Sequence, residues 1–339
     1  MEQSGRQLNY PDIYFEPGYG RLYENGTDAK CVQFVFESGA GTVSSVFMKR
    51  RIALDAGDKE TYYDLTTPYG YGGPVITELA DPNRKDELVK GFMESFAAYA
   101  KENRIVSEFV RFHPIIGNGL DFKNAYGSIY DRKTVGTNLT YDDVIGTEFS
   151  KHKRKDIRRI LNNPDIRYEI EEAPKSLADF LEVYYSTMDR DEADGYYYFG
   201  NDYFDRILAA FGDHVVTCRV FHKETIIGMG VYFRYKKLLH AHLSGSLTEY
   251  MKYSPAYILK YAMAVYGHEK GYSVIHYGGG TNASPDNGLY RFKKDFGRTT
   301  DFDFYIGKKI WNPEVYDRLC LVSGAPKDSG FFPAYRSER

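Results

Sequence analysis

Gly278-Gly279-Gly280 closes a β-forming run, Tyr272 to Tyr277, and the chain soon continues as Gly288-Leu289-Tyr290-Arg291-Phe292-Lys293-Lys294-Asp295-Phe296-Gly297. Glycines at a strand end allow unusual backbone angles and close approach of a ligand. The cations that follow suit an anion, so the pair of segments reads as a phosphate-cradling loop. It has neither the GxxxxGK[ST] spacing of a P-loop nor the GxGxxG of a dinucleotide fold. A second basic segment, Lys151-His152-Lys153-Arg154-Lys155-Asp156-Ile157-Arg158-Arg159, sets six Lys/Arg against one acid. Such a run is either a solvated helix face or a contact for phosphates. His240 and His242 stand two apart on a strand, and with His276 they could make a three-ligand zinc site. Without an acidic or Cys companion at motif spacing they read as structural histidines, or one of them as the base near the strand-end cleft, and no metal is expected. Asp189, Asp191, Glu192 and Asp194 read as a solvated helix end, although they could hold a cation or an ammonium. No serine has a GxSxG context and no cysteine a nucleophile motif.

These residues belong to a chain of 339 residues with 44 Lys+Arg and 47 Asp+Glu, a net charge of −3. Such a balance excludes a globally basic nucleic-acid coat but not a local basic groove. With 42% apolar and 27% charged residues, disorder, collagen and a coiled-coil rod are excluded as well. The three cysteines, Cys31, Cys218 and Cys320, are far apart and form no CxxC, which argues against a disulfide framework. Met1 to Arg6 has no basic-then-apolar leader pattern. The longest apolar run, Tyr257 to Tyr266, is too short to span a bilayer and carries Lys260. A cytoplasmic protein is expected. The 32 Tyr and 22 Phe against one Trp favour aromatic strands and core over a tyrosine-lined groove.

The elements that must position the candidates repeat in order. In the first half, Val32 to Phe36 and Thr42 to Met48 read as strands around a turn at Gly39-Ala40-Gly41, followed by a strand at Tyr62 to Thr66. The loop Thr67-Pro68-Tyr69-Gly70-Tyr71-Gly72-Gly73-Pro74 should end regular structure. Leu88, Phe92, Phe96 and Tyr99 then give Asp86 to Lys101 a helical period, and Ile105 to Phe112 reads as the next strand. In the second half, Val215 to Phe221, Ile226 to Tyr235 and Leu238 to Leu243 read as strands. Ser254 as N-cap and Pro255 as first residue should open a helix to His268, apolar on nearly every side and therefore buried. Tyr272 to Tyr277 is the following strand. Helices are also expected over Ser176 to Met188 and Tyr203 to Phe211. Strands, turn, helix, strand, loop: the order occurs twice, which indicates a duplicated α/β unit. No Ser/Pro/Gly-rich linker lies between the halves.

The stretch Gly288 to Gly297 resembles the GLYxFKxxFG segment of the FemABX-like aminoacyltransferases, which belong to the Gcn5-related N-acyltransferase (GNAT) superfamily. Pro68 to Pro74 resembles the PYGYGGP loop of related FemAB-like acyltransferases. Lys153-Arg154-Lys155-Asp156-Ile157-Arg158 is similar to the family's KxRxxIR helix start, and Arg111-Phe112-His113-Pro114 to its RxxP strand end. The resemblance implies an α/β fold of two tandem GNAT-like domains packed together around a cleft: 1–145, and 146–310 with the catalytic cleft. The tail 311–339 would return to the first domain. It implies acyl transfer to an amine, most simply of an aminoacyl group from aminoacyl-tRNA to a peptidoglycan-precursor-like acceptor. An acyl-CoA-dependent N-acyltransferase is the alternative, and a non-catalytic binding protein on the same fold is the second. The family's coiled-coil arm has no counterpart here.

By that resemblance Lys293 and Phe292 carry the chemistry, Lys293 as partner of an oxyanion or a phosphate. Tyr69, Tyr71, Arg111, Lys153, Arg154, Arg158, Gly279 and Tyr290 would bind substrate. Acyl-CoA enzymes of the superfamily carry a glycine-rich loop before the pyrophosphate-binding helix, whose free N–H groups suit phosphate. Here Leu247 to Pro255 has no such glycines, and Pro255 has no N–H. The expected donor is therefore aminoacyl-tRNA, with no resident cofactor.

Overall fold

The computed structural model describes residues 8–326 and 329–337. Met1 to Arg6, read above for a leader, lie outside the described residues. Twelve strands are described: β1 (Ala29–Ser38), β2 (Gly41–Arg51), β3 (Tyr63–Thr66), β4 (Gly73–Leu79), β5 (Ile105–Arg111), β6 (Ile129–Asn138), β7 (Ile166–Glu172), β8 (Val215–His222), β9 (Thr225–Tyr235), β10 (Leu238–Ser246), β11 (Val274–Gly278) and β12 (Asp301–Ile310). The longer helices are α1 (Lys85–Glu102), α2 (Lys151–Leu161), α3 (Ala178–Arg190), α4 (Asn201–Phe211), α5 (Pro255–Glu269), α6 (Gly288–Lys294) and α7 (Pro313–Ser323).

Two compact units are formed, one by residues up to Asp131 together with those from Asp303, the other by Arg132–Phe302. The limits expected from sequence were 145/146 and 310/311. The chain crosses inside β6 and returns inside β12, so no linker marks either crossing. In the first unit β1 pairs antiparallel with β2, whose two halves pair with β4 and β3. β3 then pairs parallel with β5, and β5 antiparallel with β12. In the second unit β7, β8, β9 and β10 form an antiparallel run. β10 pairs parallel with β11, and β11 antiparallel with β6. Each unit therefore has antiparallel strands, a crossover helix, and a parallel strand whose far neighbour is antiparallel. That is the duplicated order read from the sequence.

The helices follow their apolar period. In α1, Leu88, Phe92, Phe96 and Ala100 recur every four residues and are buried on Phe47, Leu65 and Val110. At about 25 cal/mol per Å², each such Phe contributes about 2–3 kcal/mol. In α5, Ile258, Leu259, Ala262, Met263 and Ala264 are all buried, so the helix is enclosed as expected. Its cap differs from the expectation: Ser254 holds the N-cap place with φ 46° and ψ 57° and makes no side-chain cap bond. The loop at Thr67 to Pro74 also differs, because Gly73 and Pro74 already belong to β4. As the second residue of β4, Pro74 costs the ladder only one donor near its end. In α7, Val315, Tyr316, Leu319 and Cys320 pack with Ile52, Val106 and Tyr335 of the first unit. No helix of the described residues is long and apolar enough to cross a membrane.

Candidate functional site

In the second unit β11 ends at Gly278, whose φ of +73° turns the chain away from the sheet. Asn287 caps α6: its Oδ1 accepts from Tyr290 N at 3.0 Å, and its Nδ2 donates to Thr281 Oγ1 at 2.6 Å. A Cβ on residue 280 would lie 2.4 Å from Asn287 Oδ1, so Gly280 is what lets the strand end and the cap approach. This short helix sets Lys293 beside the strand end, where its Nζ donates to the Gly279 carbonyl at 2.6 Å. Burial pushes the Lys293 amine down to about 8. An ammonium this poorly solvated stabilises a developing oxyanion far better than one in water.

The neighbours fix this lysine's surroundings. Phe292 is half-buried, its ring 5.3 Å from Phe296 and 6.0 Å from Tyr257 of α5. Its position makes it a packing residue that anchors α6. Lys153 of α2 donates to Tyr257 Oη at 2.6 Å and lies 3.7 Å from Asp295 Oδ2. Arg154 is half-buried and its Nε is buried without a hydrogen-bond partner. Arg158 points to solvent, as do Lys151, Lys155 and Arg159. The basic helix is thus divided: Lys153 and Arg154 turn inward beside Ile157 and Ile160, and the rest face water. Tyr290 is half-buried, and Gly279 serves through its carbonyl.

Three residues of this region escaped the motif reading. Glu148 is fully buried, and its carboxylate accepts from Asn138 N and Thr299 N, both at 3.0 Å, and from Thr300 Oγ1. It ties the chain after α6 to β6. Tyr257 links Lys153 to Phe292. Lys260, 8% exposed, holds its Nζ 3.7 Å above the Tyr277 ring. Burial first, and Lys293 second, push its amine well below the ordinary lysine value. The one signal in the sequence was a lysine inside an otherwise apolar helix.

The first unit holds Tyr69, Tyr71 and Arg111. Arg111 donates to three carbonyls of the 67–74 loop: Thr67 at 2.9 Å, Pro68 at 2.6 Å and Gly70 at 3.1 Å. Tyr71 is half-buried among Tyr14, His113 and Phe304, at 5.4–5.5 Å between ring centres. The Tyr69 ring lies 6.1 Å from that of Tyr23, and its carbonyl accepts from Tyr19 Oη at 2.9 Å. His113 is fully buried, with Nδ1 accepting from Ile115 N and Ile116 N at 3.2 Å.

The remaining candidates have other partners. His242 Nε2 meets Tyr203 Oη at 2.7 Å, and burial pushes its pKa down to about 3. His276 Nε2 meets Thr134 Oγ1 at 2.9 Å. Asp189 accepts from Tyr198 Oη at 2.8 Å and Asp191 pairs with Arg190 at 3.3 Å. Asp189 also borders a shallow concavity of about 620 Å³ with Glu182, Tyr185, Ser186, Thr248 and Glu249. Leu247 to Pro255 folds as a 3₁₀ turn over Thr248–Tyr253. The amides of Tyr250, Ser254 and Tyr257 are spent on Leu247, Met251 and Ser254 carbonyls.

Residues 148–294 match the family described as "Acetyltransferase (GNAT) domain". That span holds α2, α5, β11 and Lys293. No curated protein sequence matches the chain. Among solved structures, FemX is similar with a TM-score of 0.67 at 14% identity, over 91% of this chain and 95% of that one. L-PGS from Bacillus licheniformis is similar at 0.56 and 14%, over 90% of each chain. The C-terminal domain (DUF2156) of a putative lysylphosphatidylglycerol synthetase from Agrobacterium fabrum gives 0.55 and 14%, over 81% of this chain and 84% of that one. The fold is therefore that of the FemX-like tandem GNAT proteins, as the sequence resemblance implied.

Proposed function

We propose that this protein transfers an aminoacyl group from aminoacyl-tRNA to the amine of a peptidoglycan-precursor-like acceptor. The carrying observation is Lys293: a desolvated amine aimed at the end of β11, inside the segment that matches the acyltransferase domain. The donor's ester carbonyl takes the place beside Lys293, and the ammonium stabilises the oxyanion formed when the acceptor amine attacks. Phe292 and Tyr257 hold α6 so that this geometry is kept during the reaction.

Two observations favour tRNA over a CoA thioester as donor. At the start of α5, where a pyrophosphate would need free N–H groups, Pro255 has none and the amides of Tyr250, Ser254 and Tyr257 are spent on nearby carbonyls. The outward side of α2 presents Lys155, Arg158 and Arg159 to solvent, as phosphate contacts require. The name of the putative lysylphosphatidylglycerol synthetase, a relative in fold, accords with transfer of an aminoacyl group.

Filter binding of the protein to a pool of charged tRNA, with CoA as competitor, tests the reading. Retention at moderate salt, unaffected by CoA, supports it and reveals the amino acid. No retention, together with free thiol released from acyl-CoA and an amine, replaces it with a thioester-dependent N-acyltransferase. No turnover with either donor leaves a binding protein.

A further inference from the structure

Two lysine amines stand near one strand end, close enough for the charge of Lys293 to push that of Lys260 down. Tyr277 belongs to β11, and Gly279 follows the turn at Gly278 that ends it. Lys260 stands on the first, 3.7 Å from its ring centre, and Lys293 on the second, 2.6 Å from its carbonyl. Among the described residues, neither amine has a carboxylate within ion-pair distance. Among the described residues, the charged groups around α5 have other partners. Glu148 spends its carboxylate on Asn138, Thr299 and Thr300, and Lys153 is held by Tyr257 and Asp295. Tyr168, Cys218, Tyr232 and Tyr277 have their pKa values raised by burial and are neutral at pH 7, and His242 of β10, pushed to about 3, is neutral too. Burial of Lys260 and the charge of Lys293 both disfavour a second ammonium there.

We propose that Lys260 is the general base of the reaction, a neutral amine paired with the Lys293 ammonium, so that the two lysines carry one proton between them. This rests on the acyl-transfer reading above. Aminolysis of an ester moves two protons and needs two seats. The acceptor's neutral amine attacks the carbonyl carbon and the C–N bond forms. The nitrogen, now an ammonium, gives a proton to Lys260. Lys293 gives its proton to the leaving oxygen as the C–O bond breaks. Transfer of a proton from Lys260 to Lys293 restores the pair, and the sum is amine plus ester giving amide plus alcohol. A charged amine is a recognised means of keeping a neighbouring lysine neutral. The Tyr277 face keeps the Lys260 amine in place: Tyr277 Oη is bonded to Thr137 Oγ1 at 2.7 Å, and Thr137 to the Phe296 carbonyl at 2.6 Å.

Nuclear magnetic resonance of protein carrying ¹³C at lysine Cε tests the pair without any substrate. At pH 7 one lysine should resonate as a neutral amine and vanish in Lys260→Met, while Lys293 titrates near pH 8. In Lys260→Arg, whose charge is permanent, the Lys293 midpoint should fall by about one pH unit or more. Turnover then tests the role. Lys260→Met, whose fold is checked by near-ultraviolet circular dichroism, should lower kcat about 100-fold with little change in KM and remove the acid limb of the pH profile. A full set of charged lysines at pH 7 overturns the pair whatever the turnover. A neutral Lys260 whose removal leaves kcat and pH profile unchanged overturns the role. Absence of turnover in the unsubstituted protein falls instead on the acyl-transfer reading and takes the catalytic role with it, while the titration still decides the pair.

Discussion

The two units use one order of elements to opposite ends. In the first, β5 closes at Arg111, and the guanidinium is consumed by three carbonyls of the 67–74 loop. In the second, β11 closes at three glycines, where the Lys293 amine meets the Gly279 carbonyl at 2.6 Å and Arg132 donates to that of Gly280 at 3.1 Å. The crossover helices differ in the same sense. α1 buries one apolar stripe, whereas α5 is enclosed and carries a lysine into its core. A duplicated scaffold can thus spend its strand-end cation on holding a loop in one copy and leave it for chemistry in the other.

Substitutions that break this contrast have graded effects. Lys293→Met should cost most, about 100- to 1,000-fold in kcat, as expected for loss of an oxyanion partner. Steady-state kinetics with charged tRNA would show it, with thermal stability nearly unchanged. Arg111→Met should do the reverse: it orphans three carbonyls and should destabilise by about 2–3 kcal/mol in urea unfolding. If its main effect were instead on acceptor KM, the contrast between the units would fail.

Glu108 sharpens the comparison through pH. It is buried in the first unit between Trp311 Nε1, at 3.0 Å, and Tyr126 Oη. Burial pushes its carboxyl up to about 7 from 4.5. A raised acid pKa means that the native state binds more protons than the unfolded chain between about pH 4.5 and 7. Stability from this group is therefore full below that window and is lost as pH rises through it. Unfolding of the wild type should be less favourable at pH 5 than at pH 8 relative to Glu108→Gln, by on the order of 3 kcal/mol. The smallest effect belongs to Arg158→Glu. Its side chain is solvent-exposed, so stability should stay within about 0.5 kcal/mol. Charged-tRNA binding should weaken and its salt dependence flatten, because one phosphate contact is lost. Lys153→Glu is a poorer probe of binding, because it also breaks the bond to Tyr257.

Much of this was legible in the chain. Apolar residues at fourfold spacing announced α1, an unbroken apolar surface announced the burial of α5, and β-rich runs around short turns announced β1, β2, β8, β9 and β10. The shorter or more polar elements were not: β7, with alternating Arg167, Glu169 and Glu171, and α6, a two-turn helix crowded with cations. The Gly279–Lys293 neighbourhood was found through motif resemblance, since a lysine after a glycine loop has no period of its own.

By itself the sequence determined the order of elements and which faces are apolar, because side-chain size and hydropathy act through local spacing. It also determined the cation supply at each strand end. Only the tertiary structure decided which cations remain available. Arg111 and Lys293 are alike as charges, and Lys153 and Arg158 stand on one helix. Their roles separate because partners distant in sequence satisfy Arg111 and Lys153, leave Arg158 to water, half-bury Lys293 and enclose Lys260. Desolvation is set by what packs around an amine, and no local pattern encodes it.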